Sequence, residues 1–399
     1  MSPVLEVFLQ FLALGCSSFG GPVAHLGYFH ERFVQRERWI SDGAYADLVA
    51  LCQMLPGPSS SQVGIGLGLL RAGWLGGLSA WLGFTLPSAL LMMAAAGLIK
   101  AHPVWLEGGW VHGLKVAAVV VVAQAVLGLQ RKLANDGQRA SLMVASAVLV
   151  LLSRSAWAQL LALGMGALVG ITLLPAPMLP APDGEEMSHQ LGSGSLSRVV
   201  AINLLGLLLA LMLALPWLSG AFRPLLIQQL SAFLRAGTMV FGGGHVVLPL
   251  LEQSLVPMGW LGMDQFLAGY GLAQTVPGPM FSFAAFLGFG LRGGLHGIGG
   301  ALLALLALFL PAFCLIGGLL PFWAHLGRLR AVRRALVGIN ASVVGILLAA
   351  LFQPLWQVGI RGVADFSLAL VSFLMLVCWK QPAWRVVLLC AVIGGVSLN

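Results

Sequence analysis

Eleven apolar runs divide this chain, at about 4–29, 74–99, 110–129, 140–153, 156–174, 199–218, 224–250, 297–320, 335–353, 364–378 and 384–398. Each reaches or approaches the roughly 20 residues with which an α-helix crosses a bilayer's hydrocarbon. Lipid offers no partners to backbone N–H and C=O groups, so such runs must satisfy their own backbone as helices. The fold class is therefore all-α, polytopic and membrane-embedded. With 59% of residues hydrophobic and 9% charged, no separate soluble domain is expected. The opening Met1-Ser2-Pro3-Val4-Leu5-Glu6 lacks the basic flank of a cleavable signal, so the first run is expected to remain as a helix.

A short phrase occurs twice. Phe19-Gly20-Gly21-Pro22 is followed by Leu55-Pro56-Gly57-Pro58, and Phe241-Gly242-Gly243-Gly244 by Val276-Pro277-Gly278-Pro279. The segments at roughly 43–70 and 264–291 are less hydrophobic than the eleven runs, and Pro-Gly-Pro interrupts each. Each reads as two short helices meeting at a break, re-entrant or discontinuous. Broken helices expose backbone groups that protein or a bound ion must satisfy, and secondary transporters build solute sites in this way.

The repeat extends beyond these phrases. Trp39 matches Trp260, Gln53 matches Gln274, Pro87 matches Pro311 and Trp157 matches Trp384, with the offset near 221 to 227 throughout. This is an internal duplication. It predicts a first repeat over 1–174, a Pro/Gly/Ser-rich linker with an extra transmembrane helix over 175–222, and a second repeat over 223–399. Arg32, Arg36 and Arg38 follow the first helix, whereas the matched loop from Glu252 to Asp264 has no Lys or Arg. The next loop reverses the bias, with Lys100 and the helix-edge Lys115 against Arg328, Arg330, Arg333 and Arg334. Matched loops that face opposite sides would make inverted repeats.

Proline at a first helical position loses no hydrogen bond, so Pro58 and Pro279 are expected to start helices whose free N–H groups form an anion seat. Pro56, Gly57, Ser59, Ser60, Ser61 and Gln62 complete the first copy, and Gln274, Pro277, Gly278 and Ser282 the second, beside the more apolar Met280, Phe281 and Phe283. Gly20, Gly21 and Pro22, with His25, form one Phe-Gly-Gly site, and Gly242, Gly243, Gly244 and His245 the other. Close helix packing alone is the competing use of such glycines. Arg235 stands amid apolar neighbours, where a charge is expensive. Either its helix starts late and the side chain snorkels, or it faces a cavity and clamps an oxyanion with its planar fork. Its counterpart is Ala13. Glu31, Glu252, His25 and His245 are the candidates for proton exchange, set against end-capping or buried structural roles.

Other chemistries find little support. Cys16, Cys52, Cys314, Cys378 and Cys390 lack CxxC spacing and read as small core residues rather than as disulfide or metal ligands. The linker acids Asp183, Glu185 and Glu186 read as solvated, so no metal or other cofactor is expected. The +8 charge sits on short-loop arginines, which suits membrane orientation rather than nucleic acid. No G-x-x-x-x-G-K-[ST] marks an ATP-driven pump, and His102 with Glu107 is a lone H-x4-E match. A membrane-embedded transferase would need a cluster of catalytic side chains that is not evident, so no enzyme is expected.

Together the residues Phe19-Gly20-Gly21-Pro22-Val23-Ala24-His25, Phe241-Gly242-Gly243-Gly244-His245 and Gln274-Thr275-Val276-Pro277-Gly278-Pro279 resemble the bacterial chromate ion transporters, essentially from end to end. The resemblance implies a multi-pass protein of the inner membrane that exports chromate, confers chromate resistance and draws on the proton-motive force. Sulfate is the isosteric alternative, taken up or exchanged. The implied partners are a small oxyanion and the lipid bilayer, with a homodimer one candidate assembly. The resemblance also marks two departures, Ala13 where many members carry a basic residue and Ser59 where an acid is frequent.

Overall fold

The computed structural model describes residues 2–153, 156–175, 197–221, 224–241, 244–323 and 329–397. Gly242, Gly243, Arg328 and the linker stretch with Asp183, Glu185 and Glu186 lie outside them. The described residues are mostly helical, without strands. In chain order they form α1 (Pro3–Ser17), α2 (Gly21–Phe29), α3 (Asp42–Met54), α4 (Ser59–Ala101), α5 (Gly109–Leu133), α6 (Gly137–Ser153), α7 (Ala156–Thr172) and α8 (Arg198–Ala221). There follow α9 (Leu225–Met239), α10 (Val247–Leu255), α11 (Met263–Ala273), α12 (Phe283–Gly290), α13 (Gly297–Leu319), α14 (Arg330–Ala350), α15 (Val363–Val377) and α16 (Ala383–Ser397). Among the described residues, five helical stretches are long and apolar enough to cross a membrane: Ser59–Ala101, Gly109–Leu133, Arg198–Leu218, Gly297–Phe322 and Arg330–Gly359.

Two apolar runs that read as continuous are interrupted. The run 4–29 divides into α1 and α2 because Gly20 and Gly21 take φ of 105° and 76°, left-handed values that end a helix. Pro22 then sits in the first turn of α2. The run 224–250 divides likewise after α9, where Val240 is extended. At Ala72 and Gly73 the backbone of α4 leaves helical values, which separates 59–71 from 74–101. Gly73 has φ of 61° and Gly297 has 60°, at the same place in the two repeats.

The chain forms two compact units, each drawing on both sequence repeats. Unit 1 comprises Met1–Met93, Met178–Gly244 and Pro277–Val332. Its α1 packs on the later part of α4 where a side chain on Gly15 would meet the carbonyls of Gly83 and Phe84 at 2.8 Å. In the second repeat Gly237 of α9 packs on Leu308 of α13 in the same way. Phe11, Phe29, Phe33 and Phe84 form its aromatic core, with Phe11 and Phe33 stacked at 4.8 Å. Burying such rings contributes about 1.5–3 kcal/mol each.

Unit 2 comprises Ala94–Pro177, His245–Val276 and Arg333–Asn399. Here α5 is wrapped by α11, α15 and α16, while α14 packs with α6 and α7. Gly113 approaches the backbone at Cys390, and its counterpart Gly338 approaches Gly166, so the last helix pair of each repeat lies on a helix of the other. Arg334 donates from Nε to the Leu174 carbonyl at 2.6 Å and from Nη2 to that of Thr172 at 3.2 Å, capping α7. Two assignments need correction. Lys115 is not at a helix edge but is 4% exposed within α5, because Asp264 pairs with its ammonium at 2.7 Å. Cys16 and Cys378 are exposed, while Cys52, Cys314 and Cys390 are buried; all are free thiols.

Candidate functional site

Within unit 1 the duplicated phrases meet crosswise. The amide of Gly57 donates to the carbonyl of Val240 at 2.6 Å, and the amide of Gly278 donates to that of Ser18 at 2.9 Å. The one bond is the image of the other, since 57 matches 278 and 18 matches 240 in the repeat. Ser18 and Val240 are the C-caps of α1 and α9, whose terminal carbonyls have no partner inside their own helices. A Pro-Gly-Pro turn from the opposite repeat therefore satisfies a carbonyl at each helix end. Both glycines take left-handed φ, 122° at Gly57 and 92° at Gly278. A side chain at Gly278 would also press on the Phe84 carbonyl at 3.1 Å and on Ser88 Oγ at 3.2 Å.

A buried polar cluster surrounds this crossing. His25 is 1% exposed, and its Nδ1 lies 3.3 Å from Ser60 Oγ. Its ring meets Phe84 edge-on at 5.1 Å. His25 Nε2, Ser18 Oγ, Ser61 Oγ, Thr85 Oγ1 and Gln62 Oε1 are buried and have no hydrogen-bond partner among the described residues. Gln62 turns its Nε2 back to the Pro56 carbonyl at 2.7 Å, and Ser88 Oγ donates to the Thr85 carbonyl at 3.0 Å. An unsatisfied buried group costs about 1–3 kcal/mol, so several in one place form a strained, neutral set of hydrogen-bonding groups.

The other residues singled out in the sequence distribute as follows. Pro58 precedes α4, which opens at the half-buried Ser59. Pro277 and Pro279 flank Gly278, and Pro279 caps the short turn Met280–Ser282, in which Ser282 is buried. Gly244 packs against Met280, which gives this copy an apolar lining. Arg235 does not belong to a late-starting helix: α9 begins at Leu225, so Arg235 stands well inside it. It is half-buried, with Nε 3.4 Å from the Ser231 carbonyl and no acidic partner among the described residues. Glu31 is exposed and paired with Arg36. His245, Glu252 and Gln274 belong to unit 2. There His245 Nδ1 lies 2.8 Å from the Tyr270 hydroxyl, and Glu252 is buried in α10.

Unit 1 also holds a cleft of about 220 Å³ lined by Gln10, Ala13, Leu14, Ser17, Tyr28, Glu31, Arg32 and Arg36. Neither the residues of the polar cluster nor those of the Pro-Gly-Pro turns line it. Sequence reasoning missed Ser18, Thr85 and Ser88. The available signal was Pro87, a helix-interior proline with hydroxyl residues at 85 and 88, which deprives one carbonyl in α4 of its donor.

A family model described as chromate transporter matches residues 5–171 and 227–395. A probable chromate transport protein of Synechococcus elongatus is 27% identical over 393 residues, covering 96% of this chain and 93% of the relative. Chromate transport proteins of Cupriavidus metallidurans and Pseudomonas aeruginosa are 28% and 29% identical, covering 94% and 97% of this chain and 88% and 90% of theirs. No solved structure matches the chain.

Proposed function

This chain belongs to the chromate transporter family, and we propose that it exports chromate across the bacterial inner membrane, drawing on the proton-motive force. The observation that carries this reading is the reciprocal crossing of the Pro-Gly-Pro turns, with its cluster of unpartnered hydroxyl and imidazole groups. Those groups, with Gly20, Gly21, Pro56 and the helix start at Ser59, are the seat for the oxyanion. Neutral donors hold a dianion without an ion pair that would have to be broken on release. Arg235 supplies the positive charge that draws the anion in. Reciprocal contacts are what a twofold relation between repeats generates, and the arginine bias favours an inverted one.

Sulfate uptake or exchange is the second reading, because the same neutral donors fit any tetrahedral dianion of similar size. Labelled chromate and sulfate flux in proteoliposomes under an imposed pH gradient tests both. Uphill chromate movement against the proton gradient is the expected result. Sulfate transport without chromate transport would replace the substrate, and absence of either flux would remove the reading.

A further inference from the structure

Unit 2 buries a second set of charged groups that the oxyanion seat does not use. His112 and Lys115 are three residues apart on α5 and share a face. His112 Nε2 lies 2.8 Å from Asp365 Oδ1, and Asp365 Oδ2 accepts from the Arg361 amide at 2.9 Å. Their side chains are 12% and 6% exposed. The elements packed on α5 bring Asp264 and Tyr270 from α11, Asp365 from α15, Arg385 and Cys390 from α16, Glu107 from the preceding turn and, after the 351–359 segment, the exposed Arg361. Of these, Asp365 bonds His112 and Asp264 bonds Lys115.

We infer that the His112–Asp365 pair is the proton-binding site of the transport cycle, an inference that rests on the proton-coupled reading above. With Nε2–H donated to Asp365, the free acceptor on the ring is Nδ1, which is buried without a partner among the described residues. Lys115 and Asp264 cancel each other. With the imidazole neutral, Asp365 is hydrogen-bonded but has no ion-pair partner among the described residues, and a proton taken up at Nδ1 makes His112 that partner. Release of that proton from Nδ1 to the opposite side restores the neutral imidazole and completes the balance. His25 and His245 instead face neutral hydroxyls, of Ser60 and Tyr270. The second repeat has no equivalent: Gly113 matches Gly338, which puts Val337 opposite His112 and Asn340 opposite Lys115.

The test uses the full chain in proteoliposomes, wild type against Asp365→Asn and His112→Gln. Two chromate assays are run, flux driven by a pH gradient at zero membrane potential, and counterflow at equal pH. Each variant is expected to lose roughly tenfold or more of the pH-driven flux, within the usual range of coupling between two sites, while keeping counterflow. Wild-type pH dependence in both variants overturns the assignment, and so does equal loss of both activities, which marks a merely structural pair. A wild type that moves chromate without response to the gradient overturns this inference and leaves chromate transport standing. In detergent, proton uptake or release on adding chromate provides an independent readout: present in the wild type and absent from both variants if the site is right, unchanged in them if it is wrong.

Discussion

Gly278 donates its amide to the carbonyl of Ser18 across 2.9 Å, joining a turn of the second repeat to the first helix of the chain. Its image joins Gly57 to Val240 at 2.6 Å. A backbone bond between glycine and a helix end has no side chain to tune, so its geometry rests on the left-handed φ at each glycine.

Gly57→Ala and Gly278→Ala are therefore expected to destabilise the protein by about 1–2 kcal/mol each from backbone strain. Gly278→Ala should cost more, since its methyl would meet the Phe84 carbonyl at 3.1 Å, whereas at Gly57 the nearest group is the movable Gln62 side chain. Thermal unfolding in detergent measures both; an unchanged midpoint in either would mean the turn relaxes freely.

Arg235→Gln removes the half-buried charge, and its loss should lower chromate flux roughly ten- to a hundredfold, the equivalent of about 1.5–3 kcal/mol for a hydrogen bond to a charged group. Arg235→Lys keeps the charge without the planar fork and should retain part of the activity. Flux in everted vesicles distinguishes the three proteins, and wild-type export by Arg235→Gln would remove the residue from the site.

Thr85→Val is close in volume and deletes a buried hydroxyl that has no partner among the described residues. Stability should rise by up to about 1–3 kcal/mol as the unsatisfied group disappears. Chromate affinity should fall at the same time if the hydroxyl serves the anion. A stabilised variant with unchanged KM for chromate would place Thr85 outside the seat.

The Lys115–Asp264 pair is lopsided, with side-chain exposures of 5% and 53%. Asp264→Asn strands a buried ammonium and should destabilise by up to about 3 kcal/mol, whereas Lys115→Met leaves an acid that water can solvate and should cost less. Chemical denaturation of the two variants in mild detergent gives the order; the reverse order would show that the ammonium reaches solvent on its own.

Much of this was legible in the residues. The apolar runs gave the helices, and the breaks at Pro-Gly-Pro fall where Gly57 and Gly278 require them, because glycine and proline act locally. The duplication was readable from matched positions such as Pro87 and Pro311, and the family model likewise matches twice, over 5–171 and 227–395. Which turn binds which helix end was not readable, because periodicity carries no information about partners far apart in sequence. Ser18, Thr85 and Ser88 were hidden for the same reason: each is an ordinary hydroxyl in an apolar helix until a turn from the other repeat is laid beside it. The split of the run 4–29 depends on the φ values of Gly20 and Gly21, and paired glycines are equally compatible with an unbroken helix.

The exchange of turns in unit 1 bears on how such a chain can be assembled. A fragment ending in the linker would hold the Ser18 carbonyl without the Gly278 amide, and a fragment starting after it would hold Val240 without Gly57. Neither fragment is self-sufficient, yet each carries what the other lacks. Severing the linker while co-producing both pieces should leave a functional protein, and producing either alone should leave a substrate for membrane proteases.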